Sequence, residues 1–247
     1  MNEPAHQDAQ ASDDPQGRGA RVAFFGGSFD PPHLGHLAIA RAAREALCLD
    51  RVLFAPVGAQ PLKPAGSTAP FPDRLAMTEL AIAAEPGFEI SLADAPTAAG
   101  KPNYTLETLR TLRSGLPSQV CLFFLMGADS FATLRNWHRA AEIPFAASLI
   151  VASRPGQQLD DLARFLPHGL TLEADEPAPH QAHRADLRRY LICNPAGESA
   201  PFFALSGLDV EISASDIRAH MRSCAQDSAA LRWLSAPVAE YIRTHAL

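Results

Sequence analysis

The chain has 247 residues, 47% of them hydrophobic, enough to bury a sizeable core in one large α/β domain or two small ones. A formal net charge of −6 argues against the broad basic face that bulk nucleic-acid binding needs, but leaves room for a local basic pocket for a small phosphate ligand. The longest apolar run, Val120–Met126, is far too short to span a bilayer.

Residues 1–20 lack the apolar stretch of a signal peptide and read as a disordered leader, so a cytoplasmic protein with no membrane partner is expected. Arg21–Phe25 is an apolar run of strand type. It leads into Gly26-Gly27-Ser28-Phe29-Asp30-Pro31-Pro32-His33-Leu34-Gly35-His36 and then the Ala/Leu-rich stretch Leu37–Leu47. That order predicts buried strand, glycine turn, helix. Arg51–Pro56 reads as a second buried strand, followed by a loop over 57–71 rich in Pro and Gly whose only charge is Lys63. A helix is expected over about 72–85, with Asp73 in its first turn. Phe88–Leu92 alternates like an exposed strand, and Thr105–Arg113 sets Leu106, Leu109 and Leu112 on one helical face.

Val120–Met126 and Ser148–Ala152 are the most apolar strand candidates. Residues 157–200 are weakly patterned and are expected as a connection with one or two short helices. Phe202–Leu205 and Val210–Ile212 return to the sheet, ahead of helices at Ser215–Arg222 and Pro237–His245. No internal repeat is visible, and a single domain over 21–247 is the simplest organisation. Strands alternating with helices imply an α/β fold: a doubly wound, mostly parallel, Rossmann-like sheet with helices on both faces. Such sheets bind ligands at the carboxyl ends of the strands, around the switch point in strand order. The glycine turn, Gly127-Ala128-Asp129 and Ser153-Arg154-Pro155-Gly156 each follow a strand directly and should converge there. Cys48, Cys121, Cys193 and Cys224 form no C-x-x-C pair, and three lie in or beside apolar runs, so buried reduced thiols are expected.

The turn at 26–36 is neither G-x-G-x-x-G nor a Walker A motif, so hydride transfer and standard ATPase chemistry are not indicated. It nevertheless lays free backbone N–H groups and a helix N-terminus over one point, which suits a phosphate. His33 and His36, three residues apart at the helix mouth, can donate to oxygens of a phosphoryl group. The bland alternative is that one caps the helix and the other packs on the sheet. A second anion site is suggested by Ile212-Ser-Ala-Ser-Asp-Ile-Arg218: Ser213 can cap a helix toward which Asp216 reaches back, with Ser215 and Arg218 on one face of its positive end. Here the alternative is a plain capped helix with a solvated arginine. His180 and His183 lack further ligands and read as a solvated loop, so no metal site built from protein ligands is expected.

The glycine turn with H-x-G-H near the start and I-S-x-S-x-I-R near the end resembles the nucleotidylyltransferase superfamily. From about Arg21 to Arg154, and again from about Phe202 to the end, the chain is similar to bacterial nicotinate-nucleotide adenylyltransferase. Lys101-Pro-Asn-Tyr104-Thr105, Gly127-Ala-Asp129-Ser130, Trp137, Ser153-Arg154-Pro-Gly and the terminal Pro237-Val-Ala-Glu-Tyr-Ile242 carry that likeness. Leu62 stands where the family often has histidine, and His138 where an aromatic commonly follows the tryptophan. Ala214-Ser215 replaces the usual Ser-Thr but keeps a hydroxyl at 215.

The resemblance implies transfer of AMP from ATP to nicotinate mononucleotide, releasing pyrophosphate, with Mg²⁺ held mainly by ATP phosphates. It implies His33, His36, Lys63 and Arg218 as catalytic, and an ATP site from Gly26, Gly27, Ser28, Phe29, His36, Gly127, Asp129, Ser215 and Arg218. The mononucleotide would meet Tyr104, Thr105, Trp137, His138 and Arg154. Asp129 fits either ribose hydroxyls or a helix N-cap, and Arg154 either the nucleotide or a Pro-Gly turn. A homo-oligomer is left open. The competing readings are a sibling enzyme such as pantetheine-phosphate adenylyltransferase or a cytidylyltransferase, and a non-catalytic nucleotide-sensing regulator.

Overall fold

The structure, a computed structural model, describes residues 19–62, 66–98, 100–153, 159–175, 186–207, 213–223 and 231–247. Among them eight strands form one sheet: β1 (Arg21–Gly27), β2 (Arg51–Pro56), β3 (Phe88–Ile90), β4 (Cys121–Gly127), β5 (Ser148–Ala152), β6 (Thr171–Ala174), β7 (Asp186–Cys193) and β8 (Ser199–Ser206). Their order is β3-β2-β1-β4-β5-β8-β7-β6. The first six in that order run parallel; β7 and β6 are antiparallel additions at one edge. The expected α/β, mostly parallel sheet is therefore the fold.

The helices are α1 (Leu34–Leu47), α2 (Phe71–Ile82), α3 (Thr105–Gly115), α4 (Ala128–Thr133), α5 (Ile143–Ala146), α6 (Ala214–Ser223) and α7 (Ala236–His245). Period-two alternation in the strands divides the core. Ala23 and Phe25 of β1 pack with Leu37, Met77, Ile217 and Val238 on one face, whereas Phe24 packs with Leu106, Leu109, Phe131 and Ile143 on the other. Hence α1, α2, α6 and α7 cover one face and α3, α4 and α5 the second. Near-complete burial of Phe24, Phe54 and Phe202 contributes about 1.5–3 kcal/mol each, which is why such runs win the sheet interior. The C-terminal segment closes on the first helix: the Leu34 N–H, an orphan donor in the first turn of α1, finds the Trp233 carbonyl at 2.8 Å. Tyr241 of α7 donates to Asp73 of α2 at 2.9 Å.

Four expectations need correction. The weakly patterned stretch 157–200 holds a 3₁₀ segment (Leu159–Phe165), then β6, β7 and the start of β8, rather than short helices alone. β7 forms because β8 supplies an eight-residue antiparallel partner, a long-range cause that local periodicity does not register. The helix α1 begins at Leu34, so His33 is its N-cap and His36 its third residue. Phe88–Leu92 is strand only as far as Ile90. Finally, Cys48 and Cys121 are exposed: Cys48 is the left-handed C-cap of α1 at φ 47°, and Cys121 opens β4. Residues 1–18, Val210–Ile212, His180, His183 and Cys224 lie outside the described residues.

Candidate active site

The chain moves from β1 outward through β2 and β3, then returns to add β4 on the opposite side of β1. That reversal opens a crevice beyond the carboxyl ends of β1 and β4. A cleft of about 720 Å³ occupies it. Gly26, Gly27, Ser28, Phe29, His33 and His36 line it from the turn after β1, and Gly127 and Asp129 from the turn after β4. Tyr104 and Thr105 line it from the start of α3, Trp137 and His138 from the segment after α4, and Ser215 and Arg218 from α6. Every site residue expected from the sequence and lying among the described residues is in this one cleft. Lys63 and Arg154 lie outside the described residues.

The glycine turn is shaped by its aromatic rings. Phe29, at φ 45°, tucks 1% exposed beneath the turn with its ring 5.5 Å from Phe25. A Cβ on Gly27 would stand 3.2 Å from the Phe29 ring, so a side chain there would crowd the turn. The His33 and His36 rings stack at 3.7 Å, and His36 packs its edge on Phe29 at 5.0 Å. His36 Nδ1 accepts the His33 backbone N–H at 3.2 Å, a capping-box contact made with imidazole. An accepting Nδ1 leaves Nε2 as the hydrogen-bearing nitrogen of the neutral ring, so the cap fixes the tautomer that can donate to an oxyanion.

The C-terminal segment meets this turn directly. The Arg218 guanidinium donates through Nη1 to the Asp30 carbonyl, lies 3.7 Å from the Asp30 carboxylate, and donates through Nη2 to Ser215 Oγ at 3.1 Å. Ser213 caps α6 by accepting the Asp216 N–H at 3.1 Å. The Asp216 carboxylate in turn accepts a hydrogen bond from the Ser213 hydroxyl at 2.6 Å. Asp30, 5% exposed, accepts the N–H groups of Thr68 and Ala69 at 2.6 and 3.2 Å, which ties the end of the Lys63 loop to the glycine turn.

Three structural supports escape the sequence reading. Arg74 of α2, 2% exposed, donates to the carbonyls of Ser28, Val57 and Ala69 at 2.7, 2.8 and 3.2 Å, and burial pulls its pKa below the usual arginine value. The signal was there: an arginine at 74 shares the buried helical face of Met77, Thr78 and Ala81. Asp94, just past β3, is a buried carboxyl lining the cleft. Glu142 chelates Arg139 at 2.7 Å through both carboxylate oxygens and takes Arg110 at 2.8 Å, beside the Tyr104 and His138 rings 4.4 Å apart. This ion network braces α3 against the segment carrying Trp137. The Trp137 indole N–H donates to Thr133 Oγ1 at 3.2 Å, and Asp129 falls in the first turn of α4, whose N-cap is Gly127. Among the described residues no group of three or more His, Cys, Asp or Glu side chains could hold a metal ion, and no helix is long and apolar enough to cross a membrane.

A cytidylyltransferase-like family model matches residues 24–220, spanning both the glycine turn and α6. A relative from Geobacter metallireducens whose name reads "Probable nicotinate-nucleotide adenylyltransferase" is 34% identical over 90% of this chain and 95% of its own. The chain belongs to the nicotinate-nucleotide adenylyltransferase family. Family relatives of the same name from Solibacter usitatus and Pelobacter propionicus are 36% and 38% identical, over 73% and 80% of this chain and 92% and 85% of theirs. A solved structure of Plasmodium falciparum nicotinic acid mononucleotide adenylyltransferase complexed with NaAD has the same fold, with TM-score 0.66 and 14% identity over 92% of this chain and 97% of that one.

Proposed function

We propose that the cleft joins ATP to nicotinate mononucleotide, giving nicotinate adenine dinucleotide and pyrophosphate, a step of NAD biosynthesis. The observation that carries this reading is the docking of Arg218, bonded also to Ser215, from one end of the chain onto the glycine turn that bears the stacked His33 and His36. Cationic and N–H donors from two remote segments face one cleft, which is what a triphosphate requires.

In this reading an oxygen of the mononucleotide phosphate attacks the α-phosphorus of ATP. A P–O bond forms there, and the bond to the bridging oxygen of the β-phosphate breaks, releasing pyrophosphate. The nucleophile is mostly dianionic at neutral pH, so no general base is needed and catalysis is positioning plus charge stabilisation. Backbone N–H groups of the turn and the imidazoles of His33 and His36 receive charge at the α-phosphate and the departing pyrophosphate. Ser215 and Arg218 hold the β- and γ-phosphates, and Lys63 reaches a phosphate from its loop. Gly127 and Asp129 meet the ATP side, while Trp137 stacks on the pyridine ring, supported by Tyr104, Thr105, His138 and Arg154. The donors assigned to the phosphates, N–H groups and the Ser215 hydroxyl, suit phosphate oxygens rather than a metal; Mg²⁺ would be carried by the triphosphate and its waters and would neutralise phosphate charge.

The test is pyrophosphate release by the purified full chain with Mg·ATP and, in turn, nicotinate mononucleotide, its amide analogue and phosphopantetheine. Release with the first at the highest kcat/KM is expected. Preference for phosphopantetheine would favour the sibling enzyme, and ATP binding without release from any acceptor would favour a sensor; either result would overturn the proposal.

A further inference from the structure

None of the roles above uses Asp94. It is 5% exposed, yet it lines the cleft and accepts the Thr108 hydroxyl of α3 through Oδ1 at 2.5 Å. Among the described residues no basic side chain pairs with it, and burial lifts its carboxyl above the usual range against the opposing pull of Thr108. A carboxyl desolvated against one hydroxyl is costly to keep as an anion, so its retention in a ligand cleft calls for a compensating cation.

The geometry indicates which one. Asp94 Oδ2 lies 3.5 Å from the point where a Cβ on Gly26 would stand, and that same point is 3.0 Å from the Phe24 ring. From Phe24 an aromatic wall continues through Phe124, 5.6 Å away, to Trp137, another 6.2 Å on. Asp94, Phe24, Phe124 and Trp137 thus line the same cleft. A pyridine ribosylated on nitrogen carries a fixed positive charge, and a tryptophan face alone offers it a quadrupole, not a counter-ion.

Resting on the acceptor site assigned above, we propose that the Asp94 carboxylate, held by Thr108 in the cleft that Trp137 also lines, is the counter-charge for the pyridinium ring. The site thus selects cationic-ring ribotides over neutral-ring ones of the same shape. The test compares Asp94→Asn with the unaltered protein at saturating Mg·ATP. The acceptors are nicotinate mononucleotide and 3-carboxyphenyl ribose 5′-phosphate, an isostere with carbon in place of the charged nitrogen, read as KM or, if it is not turned over, as a competitive inhibition constant.

Asp94→Asn is expected to raise the KM for nicotinate mononucleotide on the order of tenfold, while the value for the isostere and the KM for ATP stay within about twofold. Equal rises for both acceptors, or none for either, overturn the proposal. Should Asp94→Asn not fold, Thr108→Val, which releases the carboxylate from its orientation, is expected to show the same selective rise, and an acceptor-blind effect there overturns it too. Trp137→Ala separates the two levels of inference. An unchanged KM for nicotinate mononucleotide would remove the acceptor site itself, and the counter-charge with it. A raised KM there beside an acceptor-blind Asp94→Asn removes the counter-charge alone.

Discussion

Arg74→Met is the most exacting test of how the glycine turn is held. Methionine keeps much of the volume but removes three donors, leaving the carbonyls of Ser28, Val57 and Ala69 without the guanidinium that now reaches them at 2.7–3.2 Å. Hydrogen bonds to a charged group contribute about 1.5–3 kcal/mol each, and the desolvation of the buried guanidinium offsets part of that sum. A net destabilisation of about 3–5 kcal/mol follows, comparable to breaking a buried ion pair. For a chain of this size that corresponds to a Tm lower by roughly 6–20 °C. Because Ser28 belongs to the turn and Val57 to the exit of β2, the loss should also reach function, with a raised KM for ATP and reduced turnover in the protein that remains folded. Denaturant unfolding and steady-state kinetics, run on the same preparation, read both effects. Arg74→Lys, a point charge that can satisfy only part of the fork, should fall between the two. A destabilisation under about 1 kcal/mol with an unchanged KM for ATP would refute the idea that one buried guanidinium organises the turn.

His36→Ala should lower kcat by about 10²–10³ with the fold intact, as for the loss of one pre-organised donor, and unaltered turnover would remove His36 from the transition state. Arg218→Ala should raise the KM for ATP roughly tenfold to a hundredfold; a normal KM for ATP would displace the triphosphate from α6. Asp94→Asn should alter stability with pH. Burial raises the folded-state pKa of Asp94, so its favourable contribution is complete in acid, below the unfolded carboxylate value, and is lost as pH rises through the folded value. The Tm of the variant relative to the unaltered protein should therefore climb as pH rises from the ordinary carboxylate range through the folded value, and a difference that stays flat or falls as pH rises would contradict the burial cost.

What was legible in the sequence follows from the range of the forces involved. The strand-turn-helix at 21–47 announces itself because apolar run, glycines and helix formers are contiguous, and the capping role of His33 and His36 is local too. The alternating burial of Phe24 and Phe25 on opposite faces is likewise written in adjacent residues. β7, reading Asp-Leu-Arg-Arg-Tyr-Leu-Ile-Cys, hides its strand because Arg188 and Arg189 interrupt the alternation and β8, the partner that stabilises it, comes later in the chain. α4 and α5, six and four residues long, are too short to present a helical period at all. In the cleft, the residues that line it from the glycine turn, the start of α3, the turn after β4, the segment after α4 and α6 could be picked out from motif and spacing. Arg74 left only a hint in its buried helical face and Asp94 none, because their partners sit on other elements and their burial exists only once α2 and α3 have docked.

The two ends of the cleft consequently depend on the fold in different ways. The proposed acceptor wall uses residues from Phe24 to Trp137, whereas the proposed triphosphate end needs a contact between Asp30 and Arg218 that spans 188 residues. That contact exists only when β8 has joined β5 and α6 has returned over the sheet, so the proposed grip on ATP would report on the completed fold. Asp30 gives the arrangement a further use. With its carboxylate taking the Thr68 and Ala69 N–H groups and its own carbonyl holding Arg218, it keeps the guanidinium at the glycine turn, already in place for the proposed triphosphate. An unrestrained arginine would lose up to about 2 kcal/mol of side-chain entropy on engaging a polyphosphate. Holding it at the turn means that most of this ordering cost falls on folding instead of binding, which is the general advantage of a pre-organised site.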